Sequence, residues 1–231
     1  MSGLDHSIMF FFNQFAQRWP MFDQIVVFFS NSDLMKGGVM ITGIWWAWFY
    51  QTGDPRQQRS YLLTALAGSL VALLFARILA HALPLRVRPL LDPTLHFQRP
   101  AGVPDESNWT IWSSFPSDHA ALFVALLTGI WFVSRPAAIG FTIYVIIGIC
   151  FPRMYVGIHY PSDVLAGAAL GVASVLACCW PPIRQLWTRP LLNWLDRWPA
   201  IGYALLFFIT FQIASLFWDI RTFLFIFDIS V

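Results

Sequence analysis

Long apolar runs separated by short polar breaks organise this chain, and the runs predict helices. Six stretches, approximately 36–52, 59–83, 117–134, 137–156, 162–181 and 200–219, approach or exceed the ~20 apolar residues needed to cross a hydrocarbon core. The first is the shortest. In residues 6–31, Phe, Ile and Val alternate with polar groups and Pro20 interrupts them. That pattern predicts one or two short helices lying in the membrane interface, with a seventh crossing as the competing reading. The polar stretch 84–116 carries prolines at 84, 89, 93, 100 and 104, which exclude a continuous helix, and long loops in compact proteins are often functional. The expected fold is therefore all-α, an integral membrane bundle of six transmembrane helices preceded by an interfacial helical segment. Residues 1–35 form that segment, 36–219 the membrane-embedded body and 220–231 an apolar tail.

Composition sharpens the class. Of 231 residues, 58% are hydrophobic, 17% aromatic and only 11% charged, more apolar surface than a soluble core of this size buries. The net charge of +2 comes from scattered arginines, which excludes a nucleic-acid stripe. Cys150, Cys178 and Cys179 lie inside apolar runs and are expected to pack rather than pair. No cleavable signal peptide is expected, because the N-terminus lacks a basic region and polar residues interrupt its apolar ones. Nothing in the sequence speaks to oligomeric state.

The remaining polar residues concentrate in three blocks at the mouths of apolar runs: His81 with Arg88-Pro89, then Pro116-Ser117-Asp118-His119, then Arg153 with His159 and Asp163. Six crossings put the loop 84–116 and the turn 153–161 on one side, so the blocks converge on one face. The connections 53–58, 135–136 and 182–199 fall on the other side, with Arg56, Arg59, Arg135, Arg184, Arg189 and Arg197 near span ends. By the positive-inside rule that side is cytoplasmic, although Arg86, Arg88, Arg99 and Arg153 weigh the other way. The site is thus expected to face the periplasm or exterior of an inner (plasma) membrane. Trp45, Trp46, Trp48, Trp180, Trp187, Trp194 and Trp198 gather toward the cytoplasmic ends, as interfacial anchors would.

A single arginine at a membrane edge snorkels harmlessly, but Arg88 and Arg153 each sit beside a histidine-bearing block. Two guanidiniums in a partly dry pocket clamp a tetrahedral oxyanion through bidentate bonds, which makes phosphate the natural ligand. Ser117 opens a span where unpaired N–H groups attract an anion, with a plain N-cap as the alternative. His119 is placed to protonate a departing oxygen. Pro161 suits a first helical position and Asp163 a first turn. A carboxylate bonded to one nitrogen of His159 fixes its tautomer and leaves the other nitrogen free to attack, giving a phosphohistidine.

Together the blocks resemble the type 2 phosphatidic acid phosphatase family, whose signature is Lys-x6-Arg-Pro, Pro-Ser-Gly-His and Ser-Arg-x5-His-x3-Asp. Here they read His81-x6-Arg88-Pro89, Pro116-Ser117-Asp118-His119 and Pro152-Arg153-x5-His159-x3-Asp163. The resemblance implies metal-independent phosphate removal without a cofactor. It casts His159 as nucleophile, Asp163 as its orienting partner and His119 as acid then base. Arg88, Ser117 and Arg153 would hold the phosphate, with His81 at the family's lysine position. Three departures stand out. His81 replaces Lys, leaving His81, Arg77 or Arg86 to supply the lost cation; Pro152 replaces Ser; Asp118 replaces Gly. Pro-Ser-Asp-His is similar to bacterial undecaprenyl pyrophosphate phosphatases of this family, and Phe151-Pro152-Arg153 to a relative that passes phosphate from the same donor to lipid A.

The expected function is removal of the terminal phosphate of a polyprenyl pyrophosphate, undecaprenyl pyrophosphate foremost, with membrane lipid as the other partner. Alternatives are transfer of that phosphate to a lipid acceptor such as lipid A, a phosphatase for phosphatidylglycerophosphate or phosphatidate, and a non-enzymatic lipid-binding or transport protein on a dead phosphatase scaffold. Intact His119, His159 and Asp163 weigh against the last.

Overall fold

The computed structural model describes residues 3–50, 53–103 and 113–218 together with Ile220 and Phe223. Among these residues the chain is all helical. Helices α1 (Gly3–Asn13) and α2 (Pro20–Asn31) lead through a π-helical turn, Leu34–Gly38, into α3 (Val39–Phe49). Helix α4 (Pro55–Ala82) is followed by the loop and then by α5 (Asp118–Val133). Helix α6 (Arg135–Tyr144) runs through a second π-helical segment, Val145–Cys150, into α7 (Phe151–Tyr155). The chain closes with α8 (Pro161–Cys178), α9 (Pro181–Arg197) and α10 (Pro199–Ala214).

Local chemistry sets most helix starts. Asp54 caps α4, accepting from the Arg56 N–H at 2.9 Å, with Pro55 in the first turn. Ser117 and Ser134 cap α5 and α6 in the same way. At α8, Pro161 and Asp163 both fall in the first turn, as the sequence suggested, and the Asp163 carboxylate accepts from the Tyr160 N–H at 2.8 Å.

Three helices are long and apolar enough to cross a membrane: Pro55–Ala82, the continuous Arg135–Tyr155, and Pro161–Cys178. Asp118–Val133 and Pro199–Ala214 are apolar but shorter, and the expected first crossing is split between a π turn and α3. The described structure thus supports a helical membrane protein with three full-length candidate spans rather than six. The centre is built from α4, α5 and α8. Ala65, Ala72, Ala76, Ala121 and Ala125 form a buried small-residue seam there. A Cβ at Gly167 would run into the Ser117 carbonyl, and one at Gly171 into that of Ala121, so these glycines let α8 lie directly against the start of α5.

Several expectations change. Residues 182–199, read as a connection, belong mostly to α9, whose buried face is Arg184, Thr188, Leu192 and Leu195. Trp48 is buried and donates to Tyr203 Oη at 3.2 Å, and Trp45 donates to Thr210 Oγ1 at 3.2 Å. Those two tryptophans therefore pack inside, whereas Trp46, Trp180, Trp194 and Trp198 are exposed. The N-terminal segment forms two helices whose Asp5 and Asp23 are buried against the body. The described part of the loop 84–116 holds only two three-residue 3-10 turns, Pro89–Leu91 and Pro93–Leu95. Pro104 and most of the tail 220–231 lie outside the described residues. All three cysteines are free.

Candidate active site

Backbone hydrogen bonds stitch the three polar blocks together. The Leu90 N–H donates to the Gly157 carbonyl at 2.9 Å, joining the Arg88 turn to the His159 turn. The Ser114 N–H donates to the Arg86 carbonyl at 2.9 Å, and the Ser117 N–H to the Asp163 carbonyl at 3.1 Å. Three segments far apart in sequence therefore share one rigid floor.

On that floor His159 is 3% exposed. Its Nδ1 lies 2.8 Å from the Ser114 carbonyl oxygen, so Nδ1 carries the proton and donates to it. Nε2 is buried and has no hydrogen-bond partner. The expected carboxylate bond to this ring is not what holds it, because Asp163 Oδ2 stands 3.8 Å away. Asp163 is engaged elsewhere: Oδ2 accepts from the Tyr160 N–H and Oδ1 from Arg86 Nη1 at 2.5 Å. A backbone carbonyl takes the orienting role, and Asp163 contributes its charge from just beyond contact. Burial pushes the His159 imidazole below its ordinary 6.5 despite Asp163, and the charges of Arg153 and Arg88 push in the same direction. The ring is thus neutral at neutral pH.

Arg88 caps the first 3-10 turn of the loop. Burial lowers its affinity for the proton, and the carboxylates of Asp118 and Asp163 partly restore it, so the guanidinium stays charged. Arg153 lies in α7, and its Nε is buried with no hydrogen-bond partner. His119 sits in the first turn of α5, with Nδ1 2.7 Å from Asp118 Oδ1. Asp118 Oδ2 in turn accepts from Arg77 Nη2 at 2.9 Å. The residue that replaces the family's glycine therefore orients the His119 ring through Nδ1. The Ser117 hydroxyl accepts from the Ala120 N–H at 3.4 Å as an N-cap, and the residue is 1% exposed. His81 is exposed in the last turn of α4.

Arg86, which the motif reading offered as one of three replacements for the missing lysine, and Asp5, which it did not single out, complete the site. Arg86 forks between carboxylates: Nη1 reaches Asp163 and, at 2.9 Å, Ser162 Oγ, while Nη2 donates to Asp5 Oδ2 at 2.8 Å. Its guanidinium carbon lies 4.3 Å from the centre of the Tyr160 ring. Asp5 accepts as well from the Ser162 N–H at 3.0 Å and the Ser162 hydroxyl at 2.7 Å. Asp5 carried no signal beyond being a charge in an apolar helix. Beside α7, an apolar recess of about 510 Å³ is lined by Phe22, Val26, Phe29, Ile147, Phe151 and Pro152 among others. A second, of about 300 Å³, shares Phe22 and Phe151 with it. Among the described residues, no three His, Cys, Asp or Glu side chains are grouped to hold a metal ion.

The model of the PAP2 superfamily matches residues 61–185, more than half of the chain and all three polar blocks. The chain belongs to the PAP2 superfamily. Within it, the bacitracin transport permease protein BcrC of Bacillus licheniformis is 36% identical over 86 residues, covering 37% of this chain and 38% of that protein. The undecaprenyl-diphosphatase BcrC of Bacillus subtilis (strain 168) is 27% identical over 152 residues, 65% of this chain and 69% of its own length. The chain thus spans little more than a third of the first relative and about two thirds of the second. No solved structure matches this PAP2 chain.

Proposed function

We propose that this chain is a membrane lipid phosphatase that removes the terminal phosphate of a polyprenyl pyrophosphate, undecaprenyl pyrophosphate foremost, through a phosphohistidine at His159. The observation that carries the proposal is the buried, unpartnered Nε2 of a neutral His159 whose Nδ1 is already bonded. Such a nitrogen has a lone pair and nothing to give it to except an incoming electrophile.

In the proposed reaction the terminal phosphate settles between the Arg88 and Arg153 guanidiniums, at the N-terminal end of α5 headed by Ser117. His159 Nε2 attacks phosphorus as the bond from phosphorus to the bridging oxygen breaks. His119 enters as the imidazolium, its Nδ1–H held by Asp118; it delivers its Nε2 proton to that leaving oxygen, and the lipid monophosphate departs. His119 then takes a proton from water, whose oxygen attacks phosphorus and breaks the bond to nitrogen. Orthophosphate leaves, and His159 is neutral again. The charge that builds on the phosphoryl oxygens is met by guanidiniums, so no metal ion is required.

The apolar recesses beside Phe151 and Pro152, next in sequence to Arg153, support a lipid substrate over a soluble phosphate ester. The relative named for undecaprenyl diphosphate supports the polyprenyl class. For the membrane arrangement we read six crossings, counting α5, α10 and the π turn with α3 as short ones beside the three long helices. The site then faces the exterior side.

The test is purified protein in detergent, supplied with undecaprenyl pyrophosphate, farnesyl pyrophosphate, phosphatidylglycerophosphate and phosphatidate, each with and without lipid A. Orthophosphate release from the two polyprenyl substrates, abolished in His159→Ala, is expected. Phosphate appearing on lipid A in place of orthophosphate would convert the reading to a phosphotransferase. Full turnover by His159→Ala would end the mechanism.

A further inference from the structure

The PAP2 signature places a lysine seven residues before Arg88, and this chain has His81 there. The two arginines near that position are engaged with carboxylates: Arg77 donates to Asp118, and Arg86 is held between Asp163 and Asp5. His81 itself is exposed at the end of α4. Yet the chain contains one lysine, Lys36, and it is 4% exposed in an apolar segment of a membrane protein.

An ammonium buried there without good reason is costly. Its visible partners account for only part of its capacity: it donates to the Ser30 carbonyl at 2.9 Å and lies 3.4 Å from the half-exposed carboxylate of Asp33. Three N–H groups against one carbonyl and one loose carboxylate leave donor capacity for an anion. The placement of Lys36 fits a site ligand. It sits in the π turn at the end of the α3 crossing opposite to the α3–α4 connection, the level at which α4 ends, α5 begins and α7 ends. That turn packs against the π segment leading to Arg153, and Tyr144 Oη of the α6 end donates to the Met35 carbonyl one residue away. Arg153 and Asp118 both act electrostatically on Lys36, and Lys36 acts on His119, so the ammonium lies within charge range of three site residues.

We propose that Lys36, reaching in from the α2–α3 junction, is the third cation of the phosphate site and replaces the lysine that the signature places on α4. Clustering a third positive charge beside Arg88 and Arg153 is unfavourable in the empty site and is relieved when a phosphate arrives, which makes the cluster selective for multiply charged anions. The inference rests on the active-site reading above and identifies one more group in it.

The experiment compares full-length parent, Lys36→Met and Lys36→Arg in detergent for hydrolysis of farnesyl pyrophosphate and for competitive inhibition by inorganic phosphate. Lys36→Met is expected to weaken phosphate inhibition on the order of 10- to 100-fold, the range for one charge-assisted hydrogen bond, and Lys36→Arg to recover most of it. A lysine that merely ties down the Ser30 carbonyl would change thermal stability and leave the inhibition constant alone, and that result overturns the proposal. Should Lys36→Met fail to fold, the parent decides. Grown with 13Cε-lysine, it gives a single side-chain resonance, expected to shift with added inorganic phosphate at the inhibition constant. A resonance that phosphate does not move overturns the proposal in a parent that hydrolyses its substrate. A parent that neither hydrolyses any lipid phosphate nor binds inorganic phosphate overturns the active-site reading, and this inference with it.

Discussion

Replacing Arg86 by methionine keeps the length and packing of the side chain but removes the cation between Asp5 and Asp163. Both carboxylates are essentially buried, with side-chain exposures of 3% and 0%, and Arg86 itself is 26% exposed. Breaking a buried ion pair costs about 3–5 kcal/mol because the remaining charge loses its partner. The quarter of Arg86 that meets solvent argues for the low end, about 3 kcal/mol. For a chain of this length each kcal/mol shifts Tm by about 2–4 °C, so Arg86→Met should melt roughly 6–12 °C below the parent. Asp5→Asn should cost less, since the amide retains an acceptor and Asp163 keeps its partner. The double variant should then fall short of the sum by about 1 kcal/mol or more, because both changes remove the same interaction. Catalysis should suffer beyond stability, since the Asp163 backbone holds the start of α5 and its carboxylate borders His159. A tenfold or larger fall in kcat/KM at a temperature where Arg86→Met is fully folded is the expected size, about 1.4 kcal/mol of transition-state stabilisation. Thermal melts in detergent and initial rates measure both. A Tm within about 2 °C of the parent, or strictly additive variants, would refute the reasoning.

The pH behaviour of His159 carries a sign: its folded pKa lies below 6.5, so the unfolded chain binds a proton that the folded one does not, and stability falls as pH drops through that region. NMR titration of the free enzyme should place the His159 midpoint below 6.5, and a midpoint at or above it would contradict the burial argument. Asp118→Asn should lower kcat more than it raises KM, because it loosens the hold on the His119 ring while leaving both guanidiniums in place; an unchanged kcat would show that Asp118 does not orient His119. Turnover should persist in EDTA, and loss restored by Mg²⁺ would transfer the charge-stabilising role to a metal. Cysteines introduced at 94–98 should react with an impermeant thiol reagent in intact cells and those at 185–193 should not, with reversed labelling placing the site in the cytoplasm.

Much of this was legible in the chain because its signals are local. The apolar run 59–83 returns as Pro55–Ala82 and the run 162–181 as Pro161–Cys178, since length and hydropathy are enough to define a crossing. The cap at Asp163 and the turn at Pro161 follow from short-range backbone needs. What escaped is non-local or hidden by type. Helix α9 buries Arg184 and Thr188 on the same face as Leu192 and Leu195, so its period does not show as an apolar stripe, and Pro181, Pro182 and Pro190 read as breaks. The carbonyl that orients His159 belongs to the backbone of Ser114 and leaves no trace in side-chain identity. Asp5 is isolated among Gly3, Leu4 and His6, and its partners lie 81 and 157 residues away.

Those separations bear on the order in which the protein is assembled. Asp5 is made first, yet the groups that neutralise it, on Arg86 and Ser162, are translated only after most of the membrane body exists. Asp23 accepts locally from the Gln17 N–H, but its other oxygen takes the Tyr155 hydroxyl, 132 residues on. A carboxylate cannot enter a dry interior ahead of its counter-charge. Helix α1 is therefore expected to bury Asp5 only after the start of α8 has been made. The candidate site is therefore closed only once the start of α8 has been made, because Ser162 and the Asp163 that Arg86 joins to Asp5 both lie there.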